Sequence, residues 1–312
     1  MPITPQHWGI IINPKSGKKK FRKQRRHLFK ILKKQAIPFD YRVTSFAGHA
    51  IDIAKNFVEN NYKNILVLGG DGTLSEVING IFSSSIKKTS DITIALIPRG
   101  TGNDWGRFWG LTRNFKKSIE VFLANNTQMI DIGSFEYSVD NNNKKTHYFI
   151  NSIGFGLDAA IAKLTSQLKG FFGSFSFLYT ISLLLAAFSY KSREAKISTN
   201  ETEFDGKMFT MNIANGCYSG GGLKQNPFAL PYDGLLDLMF VRRPKFWDIV
   251  TGLGALFRGR MYEHKIVETL RSDEILVQCD KKILVEADGI IVNGFSPYKI
   301  KLLPQAIKMV IP

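Results

Sequence analysis

The sequence predicts an α/β domain followed by an antiparallel β-sandwich, a fold class of α/β plus all-β. In the first 130 residues, short apolar runs alternate with segments whose apolar residues recur every three to four positions, which is the pattern of a parallel sheet covered by helices. From about residue 131 onward, short strand-like runs dominate, which favours a sandwich. A glycine-rich turn at 69–72 joins a strand to a helix in the first half.

The elements of the first half follow one another in regular alternation. Strands are predicted where apolar runs have the length of buried strands, at Trp8 to Ile12, Phe39 to Val43, Ile65 to Leu68 and Ile92 to Ile97. Helices are predicted from apolar residues with a helical period: Phe21, Leu28, Ile31 and Leu32; Ala50, Ile53, Ala54, Phe57 and Val58; and Leu74, Val77, Ile78, Ile81 and Phe82. A last helix is expected at Phe115 to Ala124.

The turn after the third strand has the residues of a phosphate-binding loop. Its glycines let the backbone come close to a ligand, and the following helix directs N–H groups and the positive end of its dipole to the same place. Thr73 is expected to be the N-cap, with Glu76 at the capping-box position. An ordinary structural turn is the alternative, but a carboxylate at Asp71 is unfavourable beside a phosphate unless a metal ion or a proton transfer uses it.

Two further polar turns, at 13–17 and 98–104, also follow predicted strands directly. In a parallel sheet the carboxyl ends of the strands share one edge, and ligands bind beyond that edge. The sequence therefore predicts that all three turns lie together at one edge and form one site.

The second half is predicted to be strand-rich with two helical inserts. Strands are expected at Met129 to Val139, Thr146 to Phe155, Ala195 to Thr199, Met208 to Ala214, Leu235 to Val241, Lys265 to Arg271, Glu274 to Gln278 and Ile283 to Glu286. The predicted domains are 1–130 and 131–312. Packing of the C-terminal residues against the first domain is left open as an alternative.

Phe171 to Tyr190 contains no charged residue and would be about 30 Å long as one helix. A membrane span is one interpretation, but five small residues dilute its hydrophobicity and a span would split one set of strands. A helix that is buried or lines an apolar substrate pocket is favoured. Phe246 to Phe257 is a second apolar helix with basic residues at both ends.

The formal net charge is +16, and eleven Lys and Arg residues fall between Lys15 and Lys34. Such a run is most often a solvated helix face. Of the two specific binding partners for such a run, an anionic membrane surface is favoured over nucleic acid. No nucleic-acid partner is expected, because no nucleic-acid-binding module accompanies the charge. The amino-terminal residues lack the features of a signal peptide, and two cysteines without metal-ligand spacing favour a reducing, cytoplasmic location.

The ordered set of motifs resembles the diacylglycerol kinase catalytic-domain family, which includes bacterial soluble lipid kinases and sphingosine kinases. A lone Gly-Gly-Asp-Gly-Thr would also fit NAD kinases and phosphofructokinase-like folds, whereas the set extends over almost the whole chain. The motifs are Asn13 to Gly17, Thr44 before Gly48-His49-Ala50, Gly69 to Thr73, Pro98 to Asp104, Asn151 to Gly156, Asp233 to Asp237 and Asp288-Gly289.

The resemblance implies a phosphofructokinase- or NAD kinase-like α/β domain and a C-terminal β-sandwich, with the active site in the cleft between them. It implies a catalytic role for Asp71 and an ATP site with magnesium. The implied nucleotide contacts are Asn13, Pro14, Lys15, Ser16, Gly17, Thr44, Gly70, Asp71, Gly72, Thr73, Leu74, Ser75, Glu76 and Thr101.

A second, structural magnesium ion is implied at Leu230, Asp233 and Leu235, although a turn nucleated by Asp233 and Gly234 needs no ion. The sequence departs from the resembled pattern at Ile290, where many bacterial relatives have the acid proposed as proton acceptor. Asp288, Asp71 or Glu286 are the alternatives for that role, with Asp288 the catalytic residue expected in this half.

The function expected from the resemblance is an ATP-dependent kinase that phosphorylates the hydroxyl of a membrane lipid, such as diacylglycerol or a sphingoid-type lipid, while bound peripherally to an anionic membrane. The alternatives are a non-catalytic protein that binds nucleotide or lipid, motivated by Ile290, and a soluble NAD or sugar-phosphate kinase. The resemblance also suggests a homodimer.

Overall fold

The computed structural model describes residues 7–17, 21–111, 113–140, 142–172, 177–279 and 282–312. It divides into two compact units. The first comprises residues 1–130 together with 305–312, and the second comprises residues 131–304.

The elements of the first unit alternate between strand and helix, as the apolar periodicity predicts. They are β1 (Trp8–Ile12), α1 (Phe21–Lys34), β2 (Phe39–Val43), α2 (His49–Glu59), β3 (Asn64–Gly69), α3 (Asp71–Phe82), β4 (Thr93–Pro98), α4 (Asp104–Phe108) and α5 (Phe115–Ala124). The next strand, β5 (Asn126–Ser138), passes from the first unit into the second.

The second unit is rich in strands and contains three helices within its described residues. Its elements are β6 (Lys144–Phe149), β7 (Ser152–Gly156), α6 (Leu157–Phe172), α7 (Phe177–Ser189), β8 (Arg193–Thr199), β9 (Glu203–Met208), β10 (Thr210–Ala214), β11 (Tyr218–Ser219), β12 (Leu223–Lys224), β13 (Leu236–Val241), α8 (Phe246–Phe257), β14 (Val267–Ser272), β15 (Glu274–Gln278), β16 (Val285–Ala287), β17 (Ile290–Val292) and β18 (Phe295–Ile311).

The sheet of the first unit is parallel, in the order β2-β1-β3-β4 and then the last part of β18. The last part of β18 enters beside β4, where Lys308 pairs with Thr93. Strands β1, β3 and β4 are buried along their whole length, which is why their sequences are continuous apolar runs without alternation. Leu28 and Leu32 of α1 pack on one face of this sheet, as the helical period predicts.

The second unit is a sandwich of two sheets, as predicted. One sheet has the order β14-β13-β10-β7-β16-β17, and the other contains the first part of β18 with β15, β8 and β9, joined by β5 and β6. Between them lies a core in which Phe155 and Ile213 of the first sheet meet Phe135 and Tyr298 of the second. Helices α6, α7 and α8 form a separate apolar cluster in this unit.

One predicted strand is wrong. Thr146 to Phe155 is divided between β6 and β7, which belong to different sheets. The interruption falls at Ile150 and Asn151, whose backbone N–H groups donate to the carboxylate of Asp288 at 2.9 Å instead of joining a ladder. Both residues are buried, so no exposed turn residue marks the interruption in the sequence.

The uncharged stretch Phe171 to Tyr190 includes the end of α6 and all of α7, and residues 173–176 between them lie outside the described part of the chain. No helix within the described ranges has both the length and the apolar character needed to cross a bilayer. Leu183 and Ala187 of α7 line an apolar pocket, as one of the two favoured interpretations predicts.

Candidate active site

The turns after β1, β3 and β4 meet at one edge of the parallel sheet, as predicted. The amide Nδ2 of Asn13 donates a hydrogen bond to Thr73 Oγ1 at 2.9 Å, which joins the first turn to the start of α3. Arg99, after β4, donates from Nε to the carbonyl of Ser16 at 3.3 Å. Three segments distant in sequence therefore form one continuous surface of backbone and polar side chains.

Two glycines allow the second and third turns to pack backbone against backbone. A Cβ atom on Gly70 would lie 2.7 Å from the Cα of Gly100, and one on Gly100 would lie 2.8 Å from the Cα of Gly70. Real Cβ atoms do not approach that closely, so both positions require glycine. Gly17 has φ +87°, a left-handed backbone that favours glycine, and it lies against the guanidinium of Arg99.

The first turn holds its shape through Asn13, whose Oδ1 accepts a hydrogen bond from the backbone N–H of Lys15 at 3.0 Å. Pro14, Lys15 and Gly17 are exposed, and Ser16 is partly exposed. The side chain of Lys15 is thus available to a phosphate at the edge where the turns meet.

Helix α3 begins at Asp71, three residues earlier than the prediction, so Thr73 is not its N-cap. Gly70 occupies that position with an extended backbone, and Thr73 instead accepts the bond from Asn13. The first N–H groups of an α-helix have no carbonyl partner inside the helix, and Gly72 among them is exposed. This end of α3 can therefore offer backbone donors to an anion.

Glu76 does not form the expected capping box. Its carboxylate accepts hydrogen bonds from the backbone N–H groups of Gly48, at 2.8 Å, and Ala50, at 3.2 Å, and so fixes the start of α2. Thr44 is buried before that turn, and its N–H donates to the carbonyl of Ile12 at 2.9 Å. Glu76 thus connects α3 through hydrogen bonds to the segment that begins at Thr44.

Not every predicted nucleotide contact has a side chain available at this edge. Leu74 and Ser75 are fully buried on the inner side of α3. Thr101 is partly exposed, and its carbonyl accepts a hydrogen bond from the guanidinium of Arg113. The groups available at the edge consequently include exposed backbone N–H groups and the side chains of Lys15, Ser16 and Arg99.

Asp71 lies at the meeting point of α3 and α4. Its Oδ1 accepts a hydrogen bond from the backbone N–H of Trp105 at 3.3 Å. Burial raises the pKa of Asp71 above its ordinary value, while backbone N–H groups at Asp104, Trp105 and Asn103 oppose that rise. A carboxylate with a raised pKa, fixed by backbone donors beside a phosphate cradle, is suited to accept a proton or to hold a hydrated cation.

Arg99 belongs to this site, a role that was not predicted for it within the motif Pro98 to Asp104. Its guanidinium contacts the first turn at Ser16 and lies against Gly17. Burial lowers the pKa of Arg99, yet a guanidinium stays charged at neutral pH. Its position directly after β4 was the available signal, because cations at strand ends of a parallel sheet face the ligand edge.

Asp288 has a structural environment in the second unit. With Gly289 it forms the two-residue turn between β16 and β17, and both residues have left-handed backbones, with φ +48° and +81°. The carboxylate of Asp288 accepts hydrogen bonds from the backbone N–H groups of Ile150, Asn151 and Ser152 at 2.9 to 3.1 Å. Three of its roughly four acceptor positions are therefore in use.

The buried carboxyl groups of Asp158 and Glu286 lie close together beside Gly154. A Cβ on Gly154 would lie 2.7 Å from Glu286 Oε1 and 3.1 Å from Asp158 Oδ2. Burial, and then the charge of Asp158, raise the pKa of Glu286 well above its ordinary value. Burial also raises the pKa of Asp158 to about 6, opposed by hydrogen bonds from Asn212 and Gln225.

Asp158 lies at the polar part of a pocket that is otherwise mainly apolar. The pocket has an empty volume of about 600 Å³ including its open mouth, and its polar lining includes Thr210 and Gln225. The Thr210 hydroxyl has no hydrogen-bond partner among the described residues. Its apolar lining comes chiefly from the helices: Leu157, Ile161, Leu183, Ala187, Ile249, Gly252, Leu253 and Leu256.

The residues predicted for a structural magnesium ion, Leu230, Asp233 and Leu235, precede β13. The carboxylate of Asp233 forms an ion pair with the guanidinium of Arg271 and accepts a hydrogen bond from the N–H of Leu235 at 3.2 Å. The carboxylate of this set is thus paired with a guanidinium, and the magnesium site at this loop stays a prediction. Within the described ranges, no three His, Cys, Asp or Glu side chains are grouped to hold a metal ion.

An α/β unit with a glycine-lined edge, followed by a β-sandwich unit, has a two-domain kinase-type architecture. Residues 7–135 match the model of the diacylglycerol kinase catalytic domain, and residues 151–311 match that of the YegS C-terminal NAD kinase beta sandwich-like domain. The chain belongs to this diacylglycerol kinase family.

Similar proteins cover the chain almost from end to end. A diacylglycerol kinase of Bacillus subtilis (strain 168) is 27% identical over 97% of this chain and 95% of its own length. A diacylglycerol kinase of Staphylococcus saprophyticus is 28% identical over 90% of this chain and 87% of its own. The crystal structure of a diacylglycerol kinase from Bacillus anthracis strain Sterne superposes with a TM-score of 0.71 at 19% identity, over 98% of this chain and 97% of that one, and shows a shared fold.

Proposed function

We propose that the protein is an ATP-dependent lipid kinase that transfers the γ-phosphoryl group of ATP to the hydroxyl of a lipid with apolar chains. The observation that carries the proposal is the pocket of the second unit, whose walls are apolar and whose polar part holds Asp158, Thr210 and Gln225. Such a pocket suits a molecule with hydrocarbon at one end and hydroxyl groups at the other. Diacylglycerol is the favoured acceptor, because it is the substrate in the names of the relatives.

The first unit supplies the nucleotide site in this proposal. Phosphoryl transfer depends mainly on positioning and on neutralising the charge of the transferring group. Backbone N–H groups at the start of α3 hold the phosphates, and Lys15 and Arg99 neutralise them. The glycines at 17, 70 and 100 keep this surface free of side chains, so that backbone donors can reach the phosphate oxygens.

The reaction forms a bond between the acceptor oxygen and the γ-phosphorus and breaks the bond to the β,γ-bridging oxygen, so that ADP leaves. The acceptor proton passes to a carboxylate, and Asp71 and Glu286 both have a raised pKa. Asp288 is less suited to this step, because its carboxylate already accepts three backbone hydrogen bonds.

The first unit offers one carboxylate, that of Asp71, to a magnesium ion. Mg²⁺ in kinase sites is typically bound by one or two carboxylates together with substrate phosphates, and Asp71, at the start of α3, is a carboxylate at this edge. When bound, the ion would supply positive charge to the phosphate oxygens.

We propose that the protein acts in the cytoplasm, where ATP is available, at the surface of an anionic membrane.

The test is phosphorylation of lipid in mixed micelles with labelled ATP and magnesium. Asp71→Asn keeps the size of the side chain but removes its charge, and we expect labelled phospholipid to fall at least about 100-fold. Asp52→Asn, at an exposed position of α2, is the matched control and should retain wild-type activity.

A wild-type protein that binds ATP but labels no lipid in the panel of diacylglycerol, sphingosine and ceramide would support a non-catalytic function instead. That alternative is motivated by Ile290, a partly exposed residue of β17 in place of the usual acid.

A further inference from the structure

Helices α7 and α8 are apolar on two opposite sides. The inner side of α7, with Leu183 and Ala187, packs in the cluster around Leu157 and Ile161 and lines the pocket. The outer side carries exposed apolar residues with the spacing of one helix face: Ile181, Leu184, Leu185 and Phe188, of which Leu185 is 57% exposed. A helix that is apolar on both sides is not adapted to water on its outer side.

The outer side of α8 continues this surface. Phe246 is 60% exposed and Trp247 is 72% exposed, and Val250 and Phe257 are also exposed. The rings of Phe188 and Phe246 lie 5.6 Å apart between centroids, and those of Phe246 and Trp247 lie 5.4 Å apart. The exposed residues of the two helices thus form one surface, called here the α7–α8 patch: Ile181, Leu184, Leu185, Phe188, Phe246, Trp247, Val250 and Phe257.

The charges around the patch are predominantly basic. Arg243 and Lys245 precede α8, Arg258 follows it, and Lys191 follows α7, all with exposed side chains. Asp248, the acid within α8, lies largely covered at the pocket and pairs with Lys265 at 3.6 Å. An apolar surface with aromatic residues and a basic border matches the boundary between headgroups and hydrocarbon in an anionic bilayer.

A second copy of this chain fits the patch less well. In a two-fold symmetric dimer the same patch would face itself, which would bring its basic residues together. An anionic lipid surface instead neutralises them, and it accepts Trp and Phe side chains at the headgroup level.

We propose that the α7–α8 patch docks the protein on anionic membranes, with Phe188, Phe246 and Trp247 inserted below the headgroups. This inference rests on the proposed lipid kinase function, since the inner sides of the same two helices line the proposed acceptor pocket. Docking through these helices brings the outer wall of the pocket against the bilayer in which the acceptor lipid is dissolved.

The test measures binding to vesicles without ATP. Wild-type protein should sediment with vesicles of phosphatidylcholine and phosphatidylglycerol, and the emission of Trp247 should shift to the blue and be quenched by brominated lipid. The double variant Phe246→Ser, Trp247→Ser should lose at least about tenfold in vesicle affinity. Phe46→Ala, a comparably exposed aromatic residue of the first unit, should bind as wild type does.

Electrostatic docking is tested with Arg243→Gln and Lys245→Gln, each of which should weaken binding about fivefold, equivalent to about 1 kcal/mol.

Because Trp8, Trp105 and Trp109 are less exposed, Trp247→Phe should abolish the emission shift while leaving sedimentation nearly unchanged. Circular dichroism and thermal unfolding confirm that each variant is folded.

Unchanged vesicle binding of the folded double variant would overturn the docking proposal. So would light scattering that shows a dimer in the wild type and a monomer in the double variant. Vesicle binding through the patch without lipid phosphorylation would leave docking intact and contradict the proposed function. Phosphorylation of micellar lipid, together with vesicle binding that does not depend on the patch, would support the proposed function and contradict the docking proposal.

Discussion

Asp288 shows how the contacts of one residue alter the interpretation of a motif. The Asp-Gly pair was expected to carry a catalytic acid, and it forms a hairpin turn whose carboxylate accepts three backbone N–H groups. These donors belong to the segment that separates β6 from β7. Asp288 therefore stabilises the point at which the chain passes from one sheet of the sandwich to the other.

Replacing Asp288 should consequently affect stability. Asp288→Ala leaves three backbone donors without their acceptor, and we expect a loss of about 2–4 kcal/mol in the free energy of unfolding, measured by urea denaturation. Asp273→Ala, on the loop before β15, is the control. A variant of unchanged stability that had lost lipid phosphorylation would instead assign Asp288 a catalytic role.

The buried carboxyl pair predicts a specific pH dependence. The pKa of Asp158 is about 6 in the folded protein and near 3.8 in a solvated chain, so its folded pKa is raised. The protonated Asp158 side chain therefore stabilises the folded state, and this contribution is fully present below about pH 4. It is lost as pH rises to about 6 and above, so the free energy of unfolding falls by up to about 3 kcal/mol. Asp158→Asn, which can still accept bonds from Asn212 and Gln225, should remove this part of the pH dependence.

Thermal unfolding of wild type and Asp158→Asn between pH 4 and 8 measures the difference. The variant should gain stability relative to the wild type as pH rises through 6. Parallel curves for the two proteins would contradict an effect of a buried carboxyl group at this position.

At the scale of elements, the proposed phosphate-binding edge depends on the close fit of two turns. Gly100→Ala places a Cβ about 2.8 Å from the Cα of Gly70, so the turns after β3 and β4 must separate. We expect ATP affinity, measured by titration calorimetry, to fall at least about tenfold while the protein stays folded. Gly254→Ala in α8, where a Cβ meets only ordinary contacts, should bind ATP normally.

Many elements with an unbroken apolar pattern were predicted from sequence, whereas helix α6, expected neither as a strand nor as one of the two helical inserts, and the short or non-local features were not. Strands β1 and β2 and helix α5 have the predicted bounds because their apolar patterns are unbroken. Helix α4 was missed, since five residues are too few to show a helical period. The Asp158–Glu286 pair was missed for another reason: the two residues are 128 positions apart and meet only because β7 pairs with β16.

At the scale of the molecule, the chain returns to the first unit after completing the sandwich. Gln305 has a left-handed backbone with φ +47° at the point where β18 passes into the first unit, and Met309 is then fully buried there. The sequence left this return open as an option, because one long strand does not reveal that its two ends pair with different partners.

The last part of β18 should therefore stabilise the first unit. Met309→Ala removes a buried side chain beside β4, and we expect a loss of about 2–5 kcal/mol, followed by the fluorescence of the buried Trp8 and Trp105. Lys308→Ala on the same strand, where the side chain is partly exposed, should cost far less. Equal effects of the two substitutions would show that this strand is not part of the core of the unit.

The class of acceptor is the central claim, and one competition experiment tests it most directly. Protein, magnesium and γ-labelled ATP are mixed with diacylglycerol in mixed micelles and, in the same tube, with NAD and glycerol, and the label is then partitioned between organic and aqueous phases. The account predicts labelled phospholipid in the organic phase, lost in Asp71→Asn. Label transferred to NAD or glycerol, with none in lipid, would contradict it.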